Sequence, residues 1–149
     1  GNQGFASAGR SDIFVLKMDS DGNYLWQKSF GGINYDEGHA VSVDNDGNIF
    51  ITGFFSTDVF FGSTQLSNSG NYDIFLTKLD IAGNVLWAKK FGGTGYNFGN
   101  GLLHDGNGGV YLSGTYRGMA NMGCSTFSGS TSSPRARSGG MLIWNTRRR

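Results

Sequence analysis

The sequence is poor in cysteine, proline and long apolar runs. Cys124 is the single cysteine among 149 residues, so no disulfide can form within the chain, and packing and hydrogen bonds must hold the fold. A single cysteine does not indicate whether the protein lies in an oxidising or a reducing compartment. Because no run of about 18 apolar residues occurs, a membrane-spanning helix is excluded. The chain opens on Gly1-Asn2-Gln3-Gly4 without Met or a signal-peptide pattern, and this opening predicts a fragment.

Helical periodicity is also missing. Pro134 is the single proline, and between Asp12 and Arg117 no apolar residues recur at helical spacing. Glycine accounts for 26 residues and aromatic residues for 14%, a composition typical of many short strands joined by Gly and Asn turns. A chain of this length holds one ordinary domain rather than two. We therefore predict an all-β domain.

Negative charge is absent from the last part of the chain. All 11 acids precede Pro134, and five of the 12 bases follow it, namely Arg135, Arg137, Arg147, Arg148 and Arg149. The part before Pro134 thus has seven bases against 11 acids, a net charge of −4. This argues against a nucleic-acid-binding surface, which needs a basic stripe. The five arginines lie on a Ser/Gly-rich segment, which predicts a solvated, mobile end.

An internal repeat of 61 residues is the strongest feature that is present. Residues 12–53 and 73–114 are identical at 18 of 42 positions without a gap. Weaker partial copies flank them at residues 1–11 and 123–129. A fixed period of this size is typical of stacked units that cannot bury their apolar surface alone. We predict a repeat domain over residues 1–129, with copies 12–72 and 73–133, and a degenerate or disordered basic tail over residues 130–149.

Each copy predicts four short strands. The predicted strands are residues 13–18, 24–30, 39–43 and 49–54 in the first copy, and 74–79, 85–91, 100–104 and 110–116 in the second. Turns at Asp21-Gly22-Asn23 and Asp46-Gly47-Asn48 separate the strands pairwise, since Gly and Asn tolerate positive φ. Four antiparallel strands per unit form one blade of a β-propeller. The chain is thus predicted to be a β-propeller fragment of about two four-stranded antiparallel blades with partial flanking repeats.

Both faces of the predicted strands are apolar. In the first strand Ile13 and Val15 alternate with Phe14 and Leu16, whereas a sheet with one solvated face would show polar residues on one side. We therefore expect these sheets to be covered on both faces.

Two aromatic pairs, Trp26 with Phe30 and Trp87 with Phe91, share a strand face just before Gly-Gly. We predict that each pair is a wedge between blades and that the glycines let the backbone turn close to it. Residues 56–72 are predicted to form an excursion between units that packs down as a short hairpin. Its apolar residues are Val59, Phe60, Phe61 and Leu66.

These segments resemble the bacterial repeat family called SBBP, for seven-bladed β-propeller. The resemblance rests on residues 12–19, 22–26, 30–32 and 46–53, with a second copy at residues 73–114. It implies a propeller blade. Because such repeats occur mostly in large secreted or surface proteins of bacteria, it also implies an extracellular or cell-surface location.

Two turns have the acid spacing of a calcium loop, at residues 19–23 and 44–48. In the second copy Ala82 and Asn107 replace one acid of each turn, whereas the turn glycines stay. The bidentate Glu of a full calcium loop is also absent. Both copies therefore keep the glycine that the hairpin turn needs but not the full set of acids, and we predict no metal site.

Tyr35-Asp36-Glu37-Gly38-His39 gathers two acids and an imidazole, a set that could serve acid-base chemistry in a cleft. The second copy reads Tyr96-Asn97-Phe98-Gly99-Asn100 and lacks all three groups. We therefore predict a solvated loop at residues 35–39 rather than a catalytic site.

The other candidates also favour structural interpretations. His104 is isolated and is predicted to be a satisfied side chain at a strand end. The glycine-rich residues 92–95 and 106–109 lack the helix and the Lys of a phosphate loop, and are predicted to be turns. Cys124 has no evident partner, so a buried or incidental thiol is expected.

The sequence therefore predicts no catalytic, cofactor-binding or metal-binding residue and no cofactor. The favoured hypothesis is a non-enzymatic repeat module that displays loops for protein or glycan contact. Two alternatives stay open: a lectin-like subunit that assembles a closed propeller by oligomerisation, and a fragment of a propeller lyase or glycosidase. In each case the partners are neighbouring blades of a longer chain or further copies, because two blades leave their outer faces bare.

Overall fold

The structure, a computed structural model, describes residues 4, 6–123 and 126–128. This part of the chain consists of strands and turns, and no helix in it is long and apolar enough to cross a membrane. The strands are β1 (Ile13–Met18), β2 (Tyr24–Phe30), β3 (Asp36–Val43), β4 (Ile49–Phe55), β5 (Val59–Phe61), β6 (Thr64–Leu66), β7 (Asp73–Leu79), β8 (Val85–Gly93), β9 (Phe98–His104), β10 (Val110–Thr115), β11 (Met119–Asn121) and β12 (Thr126–Ser128). The predicted all-β class is confirmed.

The largest sheet has six antiparallel strands in the order β12-β11-β8-β7-β4-β3. Its main part, β3-β4-β7-β8, is called the central meander below. Strand β11 extends the meander by only two residue pairs, Ala120 with Gly93 and Asn121 with Gly92. Strands β1 and β2 form one two-stranded sheet, β9 and β10 a second, and β5 and β6 a third.

The prediction that the four strands of each copy form one sheet is wrong. Strand β2 does not pair with β3, and β4 pairs along its full length with β7, from Ile49 opposite Leu79 to Phe55 opposite Asp73. A sheet therefore joins the last two strands of one copy to the first two of the next. The described residues hold one four-stranded meander and two flanking strand pairs, where two four-stranded sheets were expected.

The physical reason lies in the connections. The short link from β2 to β3, residues 31–35, carries the chain from one sheet to the next. The longer segment between β4 and β7 looked like a boundary between units, yet it is a hairpin inserted within a sheet. A period read from sequence has no starting point, so it does not say where one sheet ends and the next begins.

The predicted hairpin turns are confirmed. Gly22 and Gly47 have φ values of 82° and 81°, and Gly83 and Gly108 have 82° and 84°. A residue with a side chain is strained in this left-handed region, which explains why the turns keep glycine in both copies.

Two apolar interfaces enclose the central meander. The β1-β2 pair packs against one face and buries Ile13 and Phe30 with residues of β4 and β7. The β9-β10 pair packs against the other face and buries Val110 and Leu112. All seven residues of β4 and six of the seven residues of β7 are buried, so the expectation that both faces are covered is confirmed for these two strands. It is wrong for β1, where Phe14 and Leu16 on one face are exposed.

The aromatic pairs lie where they were predicted. Trp26 and Phe30 belong to the first interface, and Trp87 and Phe91 belong to the second. The indole Nε1 of Trp26 also donates a hydrogen bond to the carbonyl oxygen of Ile81 in the adjacent sheet, at 3.1 Å. Each pair is therefore a wedge between sheets.

The glycines beside these pairs serve a different contact from the predicted one. A Cβ on Gly31 would lie 2.3 Å from Oδ1 of Asp12, and a Cβ on Gly92 would lie 2.3 Å from Oδ1 of Asp73. They admit the carboxylate at the start of a neighbouring strand rather than an aromatic ring. Gly92 and Gly93 also end β8, so the prediction of a turn over residues 92–95 is wrong for these two.

The β5-β6 hairpin confirms the predicted excursion. Val59, Phe61 and Leu66 are buried in the first interface, whereas Phe60 is exposed. The ring of Phe61 lies 5.0 Å from that of Phe30 and 5.0 Å from that of Phe75. The hairpin thus closes the edge of the interface between the β1-β2 pair and the meander. The predicted tail, residues 130–149, lies outside the described residues.

Candidate functional site

Aromatic rings collect at one end of the sheets, where β3, β7 and β9 begin. The ring of Tyr72 stacks on Phe54 at 4.6 Å and meets Tyr96 and Phe98 edge-on at 5.1 and 5.5 Å. Phe98 also contacts Phe54 at 5.2 Å. We call this surface the aromatic end and count Tyr35 in it. Edge-on and stacked contacts at these distances favour a fixed arrangement of the rings.

Two ionisable side chains of β3 border these rings. The His39 ring lies 5.4 Å from Phe54, and its Nδ1 is 3.1 Å from the carbonyl oxygen of Gly99. Since a carbonyl only accepts, Nδ1 carries the proton in this contact. The other nitrogen, Nε2, is 3.6 Å from a carboxylate oxygen of Glu37. Both side chains are partly exposed, so a ligand at this end could contact them.

Arginines lie against both repeat-equivalent tyrosines. The guanidinium of Arg10 lies 5.3 Å from the ring centre of Tyr35 and donates to its hydroxyl at 3.0 Å. The guanidinium of Arg117 lies 5.9 Å from the ring centre of Tyr96. Arg10 and Arg117 do not occupy equivalent positions of the repeat. The arginine–tyrosine contact therefore forms in both copies although only the tyrosines are repeated. Tyr and Arg are the residues that most often carry binding energy in protein interfaces.

The structure thus brings only part of the 35–39 cluster to the surface. Asp36 begins β3 and is fully buried, where it accepts hydrogen bonds from the backbone N–H groups of Gly32 and Ser56 at 2.6 and 3.2 Å. Burial raises the pKa of Asp36. In the second copy the buried Asn97 takes its place and donates to the carbonyl oxygen of Tyr72. The prediction of a solvated loop is wrong, because the segment starts a strand.

The aspartates whose spacing resembles that of a calcium loop hold turns. Oδ1 of Asp19 accepts the N–H groups of Asp21 and Asn23 at 2.9 and 2.8 Å. Asp44 does the same for Asp46 and Asn48. The aspartates at the equivalent places of the second copy, Asp80 and Asp105, each accept two backbone N–H groups in the same way. Within the described residues no three His, Cys, Asp or Glu side chains come together as metal ligands would.

Asp44 differs from the other turn aspartates because it is buried and paired. Lys78 donates to it at 3.1 Å and also lies 4.8 Å from the ring centre of Phe50. Burial acts to raise the pKa of Asp44, but hydrogen bonds from the Asn48 side chain and from Lys78 outweigh it and lower the pKa to about 2. Asp44 is therefore a structural anion.

Most carboxylates of the chain accept hydrogen bonds from the backbone. Eight of its 11 acids accept at least one backbone N–H group, namely Asp12, Asp19, Asp36, Asp44, Asp58, Asp73, Asp80 and Asp105. A carboxylate in such a role fixes the backbone and has less freedom to exchange protons with a substrate.

The remaining candidates are placed as follows. His104 ends β9 and its Nδ1 accepts the N–H of Gly106 at 3.3 Å. Residues 106–109 form the turn between β9 and β10, as predicted. Cys124 and the five arginines from Arg135 to Arg149 lie outside the described residues.

Sequence reasoning missed Tyr72, Tyr96 and Phe98 as members of a site. Their positions could have indicated a shared site, because each of the three lies at or just before the start of a strand, and alternate strands of an antiparallel sheet begin at the same end. Placing the three rings together in this way also requires knowing that β4 pairs with β7.

Comparison with known proteins agrees with this architecture. Residues 26–53 match the family model described as SBBP, Beta-propeller repeat. This segment is therefore similar to a β-propeller repeat. The SBBP match begins at Trp26 in β2 and runs to Gly53 in β4, so it crosses from the first sheet into the central meander. Antiparallel sheets stacked face to face are consistent with such repeats.

Two curated proteins share part of this sequence. The protein named Uncharacterized WD repeat-containing protein L264, from Acanthamoeba polyphaga mimivirus, is 29% identical over 115 residues, which are 72% of this chain and 8% of that protein. Regulatory protein FlaEY of Caulobacter vibrioides is 30% identical over 110 residues, which are 71% of this chain and 12% of that protein. The chain therefore spans about a tenth of the length of these relatives. Together with the SBBP match, they indicate a repeat module.

Proposed function

We propose that this chain is a non-enzymatic β-propeller repeat module that binds a protein or glycan ligand at its aromatic end, in a secreted or surface protein of a bacterium. The central meander is one blade, and the β1-β2 and β9-β10 pairs are halves of the blades on either side. The location rests on the resemblance to SBBP repeats.

The aromatic end is the observation that carries the binding role. Tyr72 directly precedes β7, and Tyr96 and Phe98 lie at the start of β9. The ring centre of Tyr72 is 5.1 Å from that of Tyr96 and 5.5 Å from that of Phe98. Strand ends held by a packed sheet position these rings at little entropic cost on binding. Aromatic faces suit the apolar face of a sugar or a protein side chain, and the partly exposed Glu37 and His39 supply polar contacts beside them.

The carboxylates support the non-enzymatic part of the proposal. General acid-base catalysis needs groups that can exchange protons in a cleft. Asp36, one of the two acids that the sequence placed beside the imidazole of His39, is buried and accepts two backbone N–H groups.

Arrays of oligosaccharides and of bacterial surface proteins test the binding role. We expect the chain to bind a defined subset, and Tyr96→Ala to weaken that binding at least about tenfold, as removal of a central aromatic contact does. Tyr24→Ala is the matched control, because Tyr24 is an exposed tyrosine beside the turn at the opposite end of the sheets.

Far-UV circular dichroism establishes that both variants are folded. No binding on either array, or binding that Tyr96→Ala and Tyr24→Ala affect equally, would contradict the proposed role of the aromatic end.

A further inference from the structure

We infer that the carboxyl groups of Asp12 and Asp36 share one proton, and that loss of this proton at higher pH loosens the segment that carries Tyr35 of the aromatic end. We call these two groups the acid pair. The inference concerns a regulatory device within the fold and goes beyond the proposed function. Only its consequence for ligand binding rests on that function.

The acid pair lies beside the glycines that follow β2. A Cβ on Gly31 would lie 2.3 Å from Oδ1 of Asp12. Oδ2 of Asp36 accepts the backbone N–H of the next residue, Gly32, at 2.6 Å. One carboxyl group comes from the start of the β1-β2 pair and the other from the start of β3 in the central meander, so the acid pair lies where these two sheets meet.

The equivalent place in the second copy shows how close the two side chains come. A Cβ on Gly92 would lie 2.3 Å from Oδ1 of Asp73 and 3.1 Å from Nδ2 of Asn97. Asp73 and Asn97 are the repeat equivalents of Asp12 and Asp36. The second copy therefore sets an amide that can donate beside the carboxylate, whereas the first copy sets a second carboxyl group there.

The charge balance also differs between the two copies. In the second copy the ammonium group of Lys90 lies 3.4 Å from Oδ2 of Asp73. Its equivalent in the first copy is Ser29, whose hydroxyl donates to a backbone carbonyl oxygen. Within the described residues no Lys, Arg or His side chain forms an ion pair with Asp12 or Asp36. The first copy thus lacks the cation as well as the amide.

Burial disfavours two negative charges at this place. Asp36 is fully buried, and Oδ1 of Asp12 is buried without a hydrogen-bond partner in the described part of the chain. Two carboxylates that share a site favour the protonated form of one of them. Burial raises the pKa of Asp36, the charge of Asp12 adds to the rise, and the backbone N–H groups of Gly32 and Ser56 oppose it.

One proton satisfies both members of the acid pair. Protonated Asp36 has a hydrogen to donate, and Oδ1 of Asp12 is an acceptor that lacks a donor. The other oxygen of Asp12 already accepts the backbone N–H of Ala8 at 2.6 Å. When the pH rises, Asp36 releases its proton to the solvent, and repulsion between two negative charges replaces the hydrogen bond.

The other charged side chains of the adjoining segments are bonded elsewhere. Their contacts are Arg10 with Tyr35, Glu37 with His39, and Asp58 with Gln65, Ser67 and Asn68. Asp12 is the ionisable group whose charge raises the pKa of Asp36. The two groups therefore titrate as a pair, with an apparent pKa that belongs to both.

The acid pair is linked to Tyr35 through the backbone. Asp36 accepts the N–H groups of Gly32 and Ser56 at 2.6 and 3.2 Å. The hydroxyl oxygen of Ser56 in turn accepts the N–H of Tyr35 at 3.0 Å. Movement of Asp36 away from an ionised Asp12 therefore shifts the partners on both sides of Tyr35.

Amide titration by NMR tests the acid pair in the full chain. The shifts of Gly32 and Ser56 report the protonation of the carboxyl group to which these amides donate. We expect both to change with one apparent pKa above the usual aspartate value of about 4, because the shared proton is retained beyond that pH. The amide of Gly93, beside Asn97 in the second copy, is the internal control and should show no such transition.

Three substitutions separate the acid pair from other causes. Asp36→Asn introduces the residue of the second copy and should abolish the transition at Ser56. Asp12→Asn removes the neighbouring charge and should move the transition to lower pH, whereas Asp58→Asn should leave it unchanged. Circular dichroism across the pH range checks the fold of each variant.

Amide hydrogen exchange measures the consequence for the aromatic end. With the intrinsic rate corrected for pH, exchange of Tyr35 should rise about twofold to tenfold above the transition, the effect of losing one hydrogen bond. Asp36→Asn should show no such rise.

Two NMR results overturn the inference: no transition of Gly32 and Ser56 above pH 4, or the same transition in wild type and Asp12→Asn. A transition that leaves the exchange of Tyr35 unchanged overturns it as well. Each of these results leaves binding on the arrays unaffected, so failure of the acid pair is distinguishable from failure of the proposed function.

Discussion

Asp44 shows at the residue scale how one repeated side chain acquires two roles. Like Asp19 and Asp80 it accepts backbone N–H groups of its turn. Asp44 is also buried and forms an ion pair with Lys78 at 3.1 Å, whereas Asp19 is exposed. A charge that is buried and hydrogen-bonded to its partner costs far more to disturb than one at the surface.

Asp44 therefore predicts a dependence of stability on acid pH. Its pKa is about 2 in the folded state and about 4 in an unfolded chain. The ionised carboxylate stabilises the fold by about 2 kcal/mol above pH 4, and this contribution is lost as the pH falls from about 4 to about 2. We expect Asp44→Asn to lower the free energy of unfolding in urea at pH 7 by roughly this amount, and the difference from wild type to shrink below pH 4.

Asp46→Asn is the matched control, because Asp46 stands in the same turn and contributes only its backbone N–H to Asp44. A constant difference between wild type and Asp44→Asn from pH 7 down to pH 2 would contradict the assignment of the charge.

The β5-β6 hairpin shows at the scale of an element how an insertion becomes part of the core. Six strand residues contribute three buried side chains, and Phe61 among them reaches both Phe30 and Phe75. The hairpin therefore ties the β1-β2 pair to the meander at a place where the two sheets share no backbone hydrogen bonds.

We predict that Phe61→Ala lowers the free energy of unfolding by about 3 to 5 kcal/mol, the cost of emptying a buried phenylalanine site. Phe60→Ala removes the neighbouring ring, which is exposed, and should change stability by no more than about 0.5 kcal/mol. Equilibrium urea unfolding measures both. Equal losses for the two variants would mean that the hairpin does not pack as described.

The whole molecule is organised around its most enclosed strands. Strands β4 and β7 have partners on both sides and buried faces toward both interfaces. Among the residues that the structure describes, the β1-β2 and β9-β10 pairs have no further strand beside them and carry exposed apolar residues. Local stability in a protein follows such differences in burial and pairing.

Amide hydrogen exchange should therefore be slowest in β4 and β7 and faster in β1 and β10, when measured by mass spectrometry at low protein concentration. Slower exchange in β1 than in β7 at low concentration would contradict this ranking.

Local pattern was sufficient to predict the eight strands of the two copies and their turns, although β3 begins three residues before its predicted start. Alternating apolar residues located β1 and β2 within the bounds observed, and the glycines at positions 22 and 47 located the turns. Residues that close a hairpin or fill a wedge act on near neighbours in the chain, so their effect is visible in a short stretch of sequence.

The aromatic end could not be predicted in the same way. Its rings in mutual contact are those of Phe54, Tyr72, Tyr96 and Phe98, which meet because β4 pairs with β7 and β9 packs across β4. The prediction of a solvated loop at Asp36 failed for a related reason. Its carboxylate accepts the backbone N–H of Ser56, just after β4 and 20 residues along the chain.

The sequence by itself determined the period, the strands, the turns and the residues that need burial. Only the tertiary structure decided which strands share a sheet, because equivalent strands of a repeat offer nearly the same edges and the same apolar faces. The lengths of the connections and the packing of the inserted hairpin selected the pairing of β4 with β7. That pairing in turn set which rings meet at the aromatic end.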